Sequence, residues 1–161
     1  MIKRLLQTDS SKATLLIRLM TGTVFLSEGI QKFLYPAMRG AGRFEAMGFP
    51  NPEFFASFVG IFEIVSGVFL LVGLVTRGAA LAMFINMSVA LLITKIPILF
   101  GHGFWIFNVR ELPFYNFWSF AHEVRTDWAM WLGSLFLLIK GGGRWSVDRW
   151  ILCRFKRHEE L

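Results

Sequence analysis

Three ionisable residues, Arg18, Glu28 and Lys32, sit inside an apolar run that extends from Ala13 to about Tyr35. A second run, Phe54 to Val75, contains a single charge, Glu63. Charges at membrane depth cost ~2.5–3.5 kcal/mol each on insertion scales, and they are kept where they pair, relay protons or hold a ligand. At 100° per helical residue, Lys32 falls about 40° and Glu28 about 80° from Arg18, so all three share one side of their helix. Gly22 and Gly29 border that side, which predicts that it packs against another helix and not on lipid. In the second run Ala56, Gly60, Glu63 and Gly67 stand at i, i+4, i+7 and i+11, one narrow stripe that is small except for its carboxylate. That stripe predicts Glu63 pointing inward.

Height along the helices follows from the rise per residue. Glu28 lies roughly 6 Å outward of the middle of its span, and Glu63 roughly 3 Å outward on an antiparallel neighbour. The two carboxylates are therefore expected at similar depth, with Lys32 one turn beyond Glu28. If the faces meet, the three form a Glu–Glu–Lys cluster. Asn86, the one side-chain amide in the middle of a third apolar run, is placed to join it or to satisfy a neighbour. Two chemistries compete for such a cluster. One is a buried polar contact that fixes helix pairing, neutralised in part by protonation. The other is a proton relay or headgroup site for a redox-active lipid such as a quinone, with Glu63 and Glu28 exchanging protons and Lys32, Arg18 and Asn86 holding the ligand. A permeation path is a third, weaker reading.

Other chemistries find little support. His102, His122 and His158 are scattered and none stands within an apolar run, so no bis-His pair for haem and no metal site is expected. A single cysteine, Cys153, excludes an internal disulfide and a Cys-x-x-Cys relay. There is no Gly-rich phosphate loop and no nucleophile elbow. Gly141-Gly142-Gly143 follows an apolar run, where glycine is favoured as a helix terminator.

The elements that must position these residues are read from the apolar pattern. Of 161 residues 55% are hydrophobic and 17% charged, against about 25% charged in a typical soluble domain. Spans are expected at about 13–35, 54–75 and 78–98, each near the ~20 residues that cross the hydrocarbon core. A fourth, 125–140, has an apolar centre of only 12 residues, Trp128 to Ile139, and needs Lys140 to snorkel. Lys95, near the end of the third span, is expected to snorkel as well. The predicted fold is all-α, a transmembrane four-helix bundle forming one domain over 1–161.

Orientation follows from Lys and Arg. The N-terminal tail (Lys3, Arg4, Lys12), Arg77 and the tail from Lys140 onward hold ten, whereas the other two connections hold Arg39, Arg43, Arg110 and Arg125. That bias predicts both termini on the cytoplasmic side of a cytoplasmic (inner) membrane. It also accounts for the net charge of +6 without a nucleic-acid partner; the lipid bilayer is the expected partner, with anionic lipid favoured at the inner leaflet. The charges within the first run, and the lack of a cleavage site after it, predict a retained helix in place of a signal peptide. From Leu99 to His122 the chain carries nine aromatic residues, Phe104 among them, broken by Gly101, Gly103 and Pro113. Such a segment suits an interfacial belt or a lid over a lipophilic ligand.

Taken together, several of these pieces resemble the DoxX family of small four-helix membrane proteins. They are Leu15-Leu16-Ile17-Arg18 with Gly22, Gly29 and Lys32; Met47-Gly48-Phe49-Pro50; Glu63, Gly67, Gly73-Leu74-Val75-Thr76-Arg77 and Ala79-Ala80; and Gly141-Gly142-Gly143-Arg144-Trp145-Ser146-Val147-Asp148. Gly142 stands where the family usually has proline, and both Glu123 and Asp127 suit the acidic position that the family carries early in helix four. The resemblance implies a membrane component of a quinone-linked oxidoreductase system. Without a cysteine relay or metal, electrons would come from a bound cofactor or from an oxidoreductase partner subunit, which leaves open whether this chain is an enzyme by itself. A non-catalytic assembly subunit, or a small-molecule or proton transporter, is the alternative class.

Overall fold

The computed structural model describes residues 6, 8–103 and 105–159, the side chains of 155–159 excepted. Lys3, Arg4 and Phe104, used above for orientation and for the aromatic segment, lie outside the described residues, as do the side chains of Lys156, Arg157 and His158. The described residues form six helices and no strands: α1 (Thr14–Leu34), α2 (Ala41–Ala46), α3 (Pro52–Val72), α4 (Thr76–Phe100), α5 (Phe117–Lys140) and α6 (Val147–Glu159). Two of them, α3 and α4, are long and apolar enough to cross a membrane. The four long helices close a ring, in which α1 packs on α3 and α5, and α4 packs on the same two.

The expected runs become helices with ends within three residues, except at the fourth. There the helix begins at Phe117, eight residues before the expected start at 125, so the end of the aromatic segment is helical. Asn116 explains the start, because its Oδ1 accepts the Ser119 N–H at 2.9 Å as an N-cap. What remains of the segment is pinned by its middle. Phe107 packs on Phe49 of the Met47–Pro50 connection, and the Asn108 N–H donates to the Met47 carbonyl at 3.0 Å. Trp105, Phe114 and Trp118 are exposed.

Helix α4 is not uniform. Between Leu91 and Lys95 it widens into a π turn, in which the Ile96 N–H reaches the Leu91 carbonyl five residues back. Pro97 supplies a reason: it has no N–H to continue the i→i−4 ladder, so the bonds re-register just before it.

The core of the ring is apolar and includes Phe25, Leu70, Met83, Met130 and Leu137. Equally apolar side chains point away from it: Leu16 and Phe33 on α1, Ile61 and Val65 on α3, Ile85 and Leu92 on α4, Leu132 and Ile139 on α5 are all exposed. Contiguous apolar surface on this scale marks contact with something other than water.

Candidate functional site

The small-residue stripe does what its spacing predicts. Ala56, Gly60, Glu63 and Gly67 are all buried, and the glycines let α1 and α3 approach backbone to backbone. A Cβ added at Gly29 would lie 2.7 Å from the Gly60 carbonyl oxygen, and one at Gly67 would lie 3.0 Å from that of Gly22. These two crossings, seven residues apart on each helix, fix the antiparallel register.

In that register Lys32 lies well above Glu63 along the pair, yet their side chains meet. Helical side chains lean toward the N-terminus of their own helix, so in an antiparallel pair they lean toward each other. The Lys32 Nζ reaches the Glu63 Oε2 at 2.5 Å. From α4, the Asn86 Nδ2 donates to the other oxygen, Oε1, at a long 3.4 Å. Three helices thus converge on one carboxylate that is 3% exposed. Glu28 lies within Coulombic reach of Glu63 but does not share its lysine. It is half-exposed and faces Arg39 at 4.0 Å. The expected cluster of two carboxylates and a lysine is therefore a Lys–Glu–Asn cluster with Glu28 beside it.

A second polar group was not anticipated. Lys95, expected to snorkel, is 7% exposed. The π turn ends on it, and its Nζ lies 3.1 Å from Asp127 and 3.7 Å from Glu123 on α5. Arg110 completes the group, donating to Glu123 at 2.8 Å. The available signal was the Glu123–Asp127 pair, four residues apart and so on one face of a helix. Both acids meet the same lysine.

The two polar groups share a wall. A cavity of about 880 Å³ opens between α1, α3, α4 and α5, lined by Glu28, Lys32, Glu63 and Asn86 and by Lys95, Glu123 and Asp127. Its apolar lining is mainly aromatic and sulfur-bearing, including Phe44, Phe55, Phe58, Met83 and Met130. The size lies within the ~300–1,000 Å³ of small-molecule sites, and the lining combines apolar side chains with an unusually large set of charged ones.

Arg18 is not part of this wall. It is 2% exposed at the opposite end of the ring, where its guanidinium donates to the carbonyls of Leu70 (2.8 Å), Leu71 (2.6 Å), Gly142 (2.9 Å) and Trp145 (2.5 Å). Leu70 and Leu71 are in the last turn of α3, whose carbonyls have no helical partner and whose dipole favours a cation. Beside it the Asp148 carboxylate accepts the N–H groups of Val75 (2.6 Å) and Thr76 (2.8 Å). It thereby caps α4, whose own preceding residue provides no side-chain cap. The turn it holds is tight, with Gly73 and Val75 both at positive φ (72° and 45°), the latter costly for a β-branched residue. Arg18, expected to help hold a ligand, thus stands apart from Lys32, Glu63 and Asn86. All of its hydrogen bonds among the described residues go to backbone carbonyls.

Comparison with known proteins gives two matches. The DoxX family model matches residues 13–96. The uncharacterized membrane protein Rv3486 of Mycobacterium tuberculosis is 48% identical over 146 residues, which cover 91% of this chain and 85% of the relative. No solved structure matches.

Proposed function

Because the chain belongs to the DoxX family of membrane proteins, we propose that it is a four-span protein of the bacterial cytoplasmic membrane that binds a quinone-like lipid beside Glu63 as part of a redox system. The four spans would be α1, α3, α4 and α5. Each has 21 to 25 residues, about 30 Å or more at 1.5 Å per residue. The charges of α1 and α5 that argue against insertion include Arg18, Lys32, Glu123 and Asp127, and these pair or hydrogen-bond inside the ring while the outer faces stay apolar. The basic bias puts the Arg18–Asp148 end and both termini on the cytoplasmic side. The whole chain then acts as one unit.

The observation that carries the ligand reading is the Glu63 carboxylate, held by Lys32 and Asn86 on the wall of an aromatic cavity. A quinol entering this cavity stacks its ring on apolar side chains and presents a hydroxyl to Glu63. Oxidation releases two protons and two electrons. Glu63 takes one proton, Glu28 lies next to it for the second, and the electrons pass to a redox partner subunit. Lys32 and Asn86 orient the carboxylate and the quinone oxygen.

Mass spectrometry of an organic extract of the purified protein, beside an equally purified and equally folded Glu63→Gln variant, tests this. The reading expects a quinone in the first extract and its loss from the second. A protein that retains nothing beyond bulk lipid removes the quinone site, and the polar cluster then belongs to an assembly subunit.

A further inference from the structure

The charges of the cavity wall do not balance. Six cations line it (Lys32, Arg39, Arg43, Lys95, Arg110 and Arg125) against four carboxylates. Pairing is orderly: Lys32 with Glu63, Lys95 with Asp127, Arg110 with Glu123, and Arg39 with Glu28 at the 4.0 Å limit. Every carboxylate is thereby matched. Arg43 on α2 and Arg125 on α5 remain, with no carboxylate within 4.0 Å among the described residues. The polar neighbour of Arg125 is the His122 imidazole, at 2.6 Å, which supplies no negative charge. Both arginines are solvent-exposed while lining the cavity, so they stand at its mouth.

Their surroundings sharpen the point. The four cations of this end that lie outside the buried pairs are Arg39, Arg43, Arg110 and Arg125. All four line the one cavity, and all four are arginine. Arginine offers a planar fork that matches a carboxylate or phosphate bidentately, which a lysine ammonium does not. The same cavity is also lined by apolar side chains, among them Phe44, Phe49, Phe55 and Met87. A small soluble anion would leave these apolar side chains unused, and a neutral headgroup beside Glu63 leaves the arginines unused.

We propose that the cavity binds an anionic amphiphile, with its carboxylate or phosphate held at the mouth by Arg43 and Arg125 and its apolar chain lying in the aromatic depth. The site does not rest on the redox reading, because its recognition is at the mouth and not at Glu63. It takes a single-chain acid or a single-chain phosphate, and the shared chemistry is one anionic head on one apolar tail.

The test uses the full chain in nanodiscs of zwitterionic phosphatidylcholine, with empty nanodiscs as the partition control. Laurate, dodecyl phosphate and dodecanol share a chain length and differ in the head. Displacement of a fluorescent fatty acid is expected to show one or both anions binding at least tenfold more tightly than dodecanol, and which of them leads identifies the head. The double variant Arg43→Gln/Arg125→Gln should lose this preference and keep its dodecanol affinity. Equal affinity for all three in the native protein overturns the proposal, as does an anion preference that survives in the double variant. Glu63→Gln should retain the anion preference even where it loses quinone, so the two readings fail separately.

Discussion

The two ends of the helix ring both bury charge, and they do so by opposite means. At one end Arg18 donates to four backbone carbonyls and Asp148 accepts two backbone N–H groups. At the other, Glu63, Lys32 and Asn86 bond side chain to side chain, one contact stretched to 3.4 Å, on the wall of a cavity. Backbone partners cannot turn away, so the first arrangement admits one geometry. It also joins segments far apart in sequence, since the groups that meet there come from α1, from the α3–α4 turn and from the chain after α5. Side-chain partners can turn toward a newcomer, so the second leaves a carboxylate, an amide and a cation available to a ligand. Full satisfaction by backbone suits a structural charge, and loose satisfaction beside a cavity suits the proton chemistry proposed for Glu63.

Rescue experiments separate the two. Arg18→Leu should be the most damaging substitution, because it strands buried carbonyls on both sides of the contact. We expect a loss of more than about 3 kcal/mol, read as a collapse of folded yield or a large fall in Tm in detergent. No second apolar substitution should restore it, since the orphaned partners are backbone. At the cavity, Glu63→Leu should cost about 3 kcal/mol by leaving Lys32 unpaired, and adding Lys32→Met should recover most of that. The recovered double variant should bind no quinone. A rescue at the Arg18 end, or none at the Glu63 end, would erase the distinction drawn between them.

The smallest effect is expected at an exposed tie near the Arg18 end. Asp9 sits 3.4 Å from Lys140, and its carboxyl lies below the ordinary value, first because the Ser10 N–H donates to it and then because of Lys140. A carboxyl lowered by folding stabilises above its unfolded value, and that contribution is lost as pH falls through the folded value. Asp9→Asn should therefore lower Tm slightly at neutral pH and leave it unchanged in strong acid. A larger drop would mean that the backbone bond from the Asp9 N–H to the Lys140 carbonyl also depends on the side chain.

Much of the candidate site was legible because helical periodicity is a local property. The stripe through Gly60, Glu63 and Gly67 needs only a regular helix to point inward, and α3 is regular. Lys95 escaped the same reasoning because the π turn ahead of Pro97 breaks the periodicity, although Pro97 itself was a visible warning. Glu28 was placed at about the right height but not with the right partner. Idealised angles put it near Lys32's face, and the choice between Glu28 and Glu63 for that lysine depends on how far α1 and α3 interpenetrate. The early start of α5 was carried by Asn116, a capping residue hidden in an aromatic segment.

Composition and spacing alone determined that the chain is helical, where its long helices run, which face of α3 turns inward, and that the chain resembles the DoxX family. These depend on apolar run length and on a repeat of 3.6 residues, both written within one segment. Only the tertiary structure decided that Arg18 clasps backbone away from Glu63, that Lys95 is buried against two acids, and that four arginines border one cavity. Each of those turns on contacts between residues tens of positions apart, such as the 124 between Arg18 and Gly142. The energy of a charge is set by its surroundings, and only folding brings those surroundings together.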